Sequence, residues 1–304
     1  MLTVNSSIFA DVIAPFVPAL WENVSDSSFG TTTINAITGN NFGQFVAVGS
    51  GGKIASSLGG LTWTQETSPF DGSSLFSVAY GDEMYIAGGS SGKMAVSYDM
   101  ETWTLVPSSF GASPILAITY APSASLWIAA GGSGKLATSV DGLSWVQRAS
   151  SFSTSFITGL YATSSEVVAV GYDGKLATST NGLVWTQRAS SFITTEINAV
   201  SANPDKSLYL AVGGLGKIGY SFNGTSWTQV FPVSSFGSSN IRAVGQTADI
   251  SVAAGAIGKL GTSPNGLSWA QRNSEFGTDN INGLYVSSSI CLAVGSNGKI
   301  TYSV

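Results

Sequence analysis

At 304 residues the chain is long enough for two domains, but 10% charged against 43% hydrophobic residues leaves its surface to Ser, Thr, Asn and Gly. A net charge of −5 without a run of Lys or Arg excludes the clustered cations that nucleic acid requires. The absence of histidine removes the commonest general base at neutral pH, and with it Ser-His and Cys-His nucleophile pairs.

Residues 1–19 match nothing else in the chain and read as an arm leaving the main body. Ile8, Phe9, Val12, Ile13, Phe16 and Val17 make it too apolar to stand in water, so a docking role on another protein subunit of an assembly is expected. No Lys or Arg precedes Lys53, so the segment lacks the basic start of a cleaved signal peptide. No run of 18 apolar residues occurs anywhere, and no transmembrane helix is expected.

From residue 20 onward the chain repeats. Val168–Phe192, VAVGYDGKLATSTNGLVWTQRASSF, is the clearest copy: an apolar run, a Gly turn, a Lys-headed run, an Asn-Gly turn, a Trp-bearing run and a Ser-Ser-Phe link. The Lys recurs at Lys53, Lys93, Lys135, Lys175, Lys217, Lys259 and Lys299, and the Trp at Trp21, Trp63, Trp103, Trp145, Trp185, Trp227 and Trp269. The link Phe keeps step at Phe29, Phe70, Phe110, Phe152, Phe192, Phe236 and Phe276. Each unit predicts four short strands, as in Ile157–Tyr161, Val167–Gly171, Lys175–Ser179 and Leu183–Gln187. Asp141-Gly142, Asn181-Gly182, Asn223-Gly224 and Asn265-Gly266 suit two-residue type I′ hairpins, as does Gly59-Gly60, whereas Asp99-Met100 predicts a looser one. Residues 20–30 hold only the end of a unit and the C-terminal residues only its beginning. The two ends therefore complete one repeat, which argues against a linear solenoid and for an all-β seven-bladed β-propeller over residues 20–304. Strand 20–24 is expected beside Lys299–Ser303, removing the free edges of an open array.

The segment Ser139-Val140-Asp141-Gly142-Leu143-Ser144-Trp145 resembles the Asp-box repeat of sialidases, one residue shorter between acid and Trp. Together with the preceding G-x-x-G-K-[IL], it is similar to the seven-bladed photosystem II assembly factors of plants and cyanobacteria, and to propeller modules of bacteriophage tail and virion proteins. The sialidase resemblance would imply three arginines converging on a carboxylate. Arg148, Arg188 and Arg272 each follow W-x-Q on separate outer strands and cannot converge; Arg242 alone sits on a first, axis-proximal strand. With carboxylates scattered, no catalytic residue, metal or cofactor is expected. The G-x-x-G-K turns are not phosphate loops, since neither Ser or Thr nor a helix follows. Cys291 in an apolar run, the landmark Trp and Phe, and Trp127 at the place of Phe45, Tyr85 and Tyr209 read as core.

The candidate ligand-binding residues are therefore Lys53, Lys93, Lys135, Lys175, Lys217, Lys259 and Lys299 with Arg242. The lysines form a periodic ring of charge that can meet an acidic partner or a host-surface glycan, or that can bond loop carbonyls as framework. The resulting expectation is a non-enzymatic virion or phage-tail component, in the virion or extracellular, with a glycan-binding propeller or a membrane-complex assembly factor as alternatives. On the docking-arm reading, deleting residues 1–15 leaves a soluble disc that no longer enters its assembly; unaltered incorporation in a pull-down or particle preparation would refute it.

Overall fold

Strand-favouring runs separated by glycine turns pair with their immediate sequence neighbours, and the result is seven four-stranded antiparallel sheets. The computed structural model describes residues 18, 20–205, 207–230 and 235–304, and among these no α-helix forms. The six expected docking residues between Ile8 and Val17 lie outside the described residues. The innermost strands, which number the blades from one to seven, are Ile34–Gly39, Leu75–Gly81, Ile115–Ala121, Ile157–Ala162, Ile197–Ala202, Ile241–Gln246 and Ile281–Val286. Each packs against the innermost strands of both neighbours, and blade seven meets blade one. The ring is shut as expected: Glu22–Asn23 is the outermost strand of blade seven, with Glu22 opposite Tyr302 and Asn23 opposite Thr301. Val24 N–H donates to Ile300 O at 2.9 Å and Tyr302 OH to Glu22 Oε2 at 2.6 Å.

Burial grades outward through each sheet for a geometric reason. Second strands such as Val167–Gly171 are covered by blades on both sides and are buried at every position, hence their unbroken apolar runs. First strands face a central channel and alternate, while the fourth strands are mostly exposed. The seven link phenylalanines are each at most 1% exposed and sit between blades. Burying one such ring removes roughly 150–250 Å² from water, about 4–6 kcal/mol at ~25 cal/mol/Å² before entropy is charged. The links are also stitched to the preceding blade: Ser27, Ser150, Ser190 and Ser274 Oγ donate to the carbonyls of Gly298, Gly134, Gly174 and Gly258 at 2.5–2.6 Å, and Ser108 donates to Gly92 O.

Two local expectations need correction. The third-to-fourth connection is longer than a type I′ hairpin: in blade four the outer strand is Thr186–Arg188, so Leu183–Trp185 belong to the turn. Only the Gly of each Asx-Gly pair has positive φ, as at Gly142 with 71°, because the Asx side chain organises the turn itself. Asp141 Oδ1 accepts from Leu143 N–H at 2.9 Å and Ser144 N–H at 2.8 Å, and these bonds hold its carboxyl down at about 2. The indole N–H of Trp145 then donates to Gly142 O at 2.9 Å, and those of Trp63, Trp185, Trp227 and Trp269 do likewise in their own turns. The hairpin at Asp99-Met100 is not looser. It makes the same bonds, ending with Trp103 Nε1 to Met100 O at 2.9 Å, and Met100 takes φ 73°.

Trp127 is fully buried on a second strand as the sequence implies, yet its Nε1 has no hydrogen-bond partner. Trp127→Phe removes that unsatisfied donor along with packing area, so it is expected to change stability by less than ~1 kcal/mol. Trp103→Phe also strips the partner from Met100 O and is expected to cost about 2 kcal/mol; equal losses in urea denaturation would refute the distinction.

Candidate functional site

Every innermost strand carries a bulge after its first residue, where the pairing register skips one position. The bulged residues are Asn35, Phe76, Leu116, Thr158, Asn198, Arg242 and Asn282, and all are half-buried around one mouth of the channel. A bulge re-aims a side chain, and here it aims most of them sideways to the next blade. Asn35 Nδ2 donates to Leu75 O at 2.7 Å, Thr158 Oγ1 to Ile197 O at 2.5 Å, Asn198 Nδ2 to Ile241 O at 2.8 Å, and Asn282 Nδ2 to Ile34 O at 2.9 Å. Arg242 departs from this pattern. Its Nη1 donates to the side-chain Oδ1 of Asn282 at 2.7 Å, and burial alone holds its guanidinium below its ordinary pKa. A guanidinium has five N–H donors, so most of its capacity remains available, and among the described residues it makes no ion pair.

Beside this mouth, between blades four and five, opens a cleft of 530 Å³ lined by Tyr172, Asp173, Thr194, Glu196, Asn198, Asn240 and Arg242. One polar contact distinguishes it from its neighbours. Across the next two blade interfaces an Asn before the innermost strand reaches back to the preceding blade: Asn240 Oδ1 accepts from Leu215 N–H, and Asn280 Oδ1 from Ile257 N–H, both at 3.2 Å. Glu196 stands at the equivalent place, but its carboxylate turns over Gly214, where any Cβ would collide with it. The turn of Asp173 therefore has no Asn cap from the next blade, as is also so where Thr33, Ser74, Pro114 and Phe156 hold this place. The Tyr172 ring stacks on Phe156 at 5.4 Å and 16°, forming one wall.

On this face of blades four to six the repeat is broken by apolar residues in strained backbone. The second-to-third turns need a left-handed residue, supplied by Gly51, Ser91, Ser133, Asp173 and Asn297, but by Leu215 (φ 56°) in blade five and Ile257 (φ 51°) in blade six. In the link, the place of Gly30, Gly111, Gly237 and Gly277 is taken by Ile193 at φ 62°. Left-handed φ costs a side-chain-bearing residue about 1–2 kcal/mol, and β-branched residues are the worst placed there. None of the three gains burial in return: Ile193, Leu215 and Ile257 are 79%, 61% and 54% exposed, with Tyr172 at 46%. All four belong to blades four to six on the same face as the cleft. Exposed apolar residues also occur on the opposite face, such as Leu58, Tyr98, Val140 and Phe222, but they recur around the ring and have no positive φ.

The seven repeat lysines lie on the link face. Each ammonium donates to the carbonyl of the link Phe entering its own blade, at distances from 2.6 Å for Lys135 on Phe110 to 3.2 Å for Lys217 on Phe192. Lys93 and Lys299 also meet Asp71 at 3.7 Å and Asp279 at 2.8 Å. Arg148, Arg188 and Arg272 are on the perimeter, each donating Nε diagonally across the strand pair to Thr138, Thr178 and Thr262, at 2.9, 2.9 and 2.8 Å. Cys291 is buried and its thiol is pushed up to about 12. Of the sequence candidates only Arg242 lines the cleft. Asp173, Glu196, Tyr172, Ile193, Leu215 and Ile257 were missed because attention fell on what repeats; aligning the units as columns would have exposed them as the places that do not.

The profile described as the DUF6242 beta propeller domain matches residues 59–221. Comparison with curated proteins found no match. The fold is similar to that of YCF48 bound to D1 peptide, with 18% identity, TM-score 0.74, and coverage of 95% of this chain and 96% of that one. YCF48 from Cyanidioschyzon merolae gives 17%, 0.74, 94% and 98%. The catalytically inactive histidine-to-alanine variant of virginiamycin B lyase from Staphylococcus aureus, with quinupristin, gives 11%, 0.83, 94% and 99%. At such identities the likeness establishes fold.

Relieving the left-handed backbone strain in these turns stabilises the disc. Ile257→Asn, the residue of the equivalent Asn297, is expected to raise stability by about 0.5–1 kcal/mol, seen as a higher melting temperature. A lower one would show that the isoleucine is placed there for the fold.

Proposed function

The chain belongs to the DUF6242 β-propeller domain family, and on that footing we propose that it is a non-enzymatic docking protein whose link face, over blades four to six, binds a segment of a partner protein. The observation that carries this reading is that Ile193, Leu215 and Ile257 are solvent-exposed in left-handed backbone on one face, Ile193 and Leu215 next to residues of the cleft that Arg242 lines and Ile257 at a second cleft in the following blade. Strain kept at the surface without burial in the free protein points to function. An exposed apolar rim around a polar cleft suits a protein segment better than a sugar.

YCF48, a protein of the same fold, has been captured with a D1 peptide, so seven-bladed discs of this shape do take peptide segments. The lyase neighbour is an enzyme whose histidine-to-alanine variant is inactive, and this chain has no histidine to play such a part. That contrast supports binding without chemistry, and with it membership of a multi-protein assembly. A virion or phage-tail setting, and a virion or extracellular location, rest on the arm of residues 1–19 and have no support from the disc.

The test is site-specific photocrosslinking in the source cells, with a benzophenone amino acid at Leu215 on the link face or at Val140 on the opposite face. A discrete protein adduct from position 215 and none from 140 is the expected result. Adducts from 140 alone, or from neither, would overturn the reading.

A further inference from the structure

The cleft between blades four and five has more specific chemistry than an apolar rim requires. We propose, resting on the docking reading above, that it is a receptor for a single lysine or arginine side chain of the partner segment. Three features converge on a cation. Asp173 and Glu196 both line the cleft, and neither is ion-paired among the described residues. Among the described residues Asp173 Oδ2 accepts from the Ser155 hydroxyl at 2.6 Å and Glu196 Oε1 from Asn240 Nδ2 at 3.5 Å, so both keep lone pairs for a donor. Tyr172, held flat by its stack on Phe156, supplies an aromatic wall for the aliphatic stem and for cation–π attraction.

The third feature is the separation of opposite charges. Arg242 and Glu196 line one cleft, yet Arg242 is tied to Asn282 and makes no salt bridge with the acid. A structural pair would have closed. Charges held apart across a cleft instead offer a complementary field to a ligand that is positive at one end and an acceptor at the other. A basic side chain attached to a peptide meets both demands: the cation lies against Asp173, Glu196 and Tyr172, while a main-chain carbonyl accepts from the free N–H groups of Arg242. Apolar neighbours of that residue then fall on Ile193 and Leu215.

The probes are the blocked pentapeptide Ac-Leu-Gly-Lys-Gly-Leu-amide and its counterparts with norleucine or glutamate in place of lysine. They are titrated into the full-length protein and followed by backbone amide NMR shifts. The lysine peptide is expected to shift Tyr172, Asp173 and Glu196, to bind at least tenfold more tightly than the norleucine peptide, and to weaken with added salt. Glu196→Gln and Asp173→Asn, on exposed or half-exposed sites, should each reduce its affinity severalfold with an unchanged melting temperature. Equal binding of the norleucine peptide, preference for the glutamate peptide, or indifference to Glu196→Gln would overturn the proposal. Failure here with persistent crosslinks from Leu215 removes the cation receptor and leaves the docking face; selective lysine binding without crosslinks removes the docking role instead.

Discussion

The architecture depends on how one blade is fastened to the next, and the fastener is the link phenylalanine. Its ring is sealed between blades, a serine two residues earlier bonds the turn of the preceding blade, and its own carbonyl takes the ammonium of the following blade's lysine. Apolar burial supplies most of the energy, while the two polar contacts fix where along the blade the ring sits. Because the buried ring and its lysine recur at all seven interfaces, and the serine bond at five of those described, small deviations in angle do not accumulate and the last blade meets the first.

That economy explains what the sequence disclosed. A motif that must satisfy the same geometry seven times is written seven times, so Lys, Trp and Phe at matching intervals were enough to give blade number, strand order and the closure of residues 20–24 on Lys299–Ser303, realised by Glu22 opposite Tyr302. The turns were harder to read, because Asx-Gly permits a type I′ hairpin and also a longer turn built on the Asx side chain. Nothing in the two letters separates these until the Trp three positions beyond the Gly is seen to donate back to the Gly carbonyl. The bulges were not legible at all. An innermost strand such as Ile197-Asn198-Ala199-Val200 looks like ordinary alternation, and only pairing shows that Asn198 has been pushed out of register.

The site was obscured for the opposite reason. Glu196 and Ile193 are single letters in variable columns, and their meaning is positional: one stands where an Asn would cap the neighbouring turn, the other where glycine is comfortable. The seven lysines are regular in sequence and in structure, each with one bond to a link carbonyl. Where a fold is built by repetition, framework is what recurs and individuality is what departs from it.

The seam has a consequence for how the disc comes apart. Six of the landmark indoles are latched to a carbonyl in their own turn, whereas the buried N–H of Trp21 finds no acceptor, and its strand is only two residues long. The outermost strand of blade seven therefore lacks the indole latch that the other six outer strands have, which favours local opening there. Since blades four and five stand at least two blades away from that gap, the protein can relax at its hem without loosening the cleft it presents.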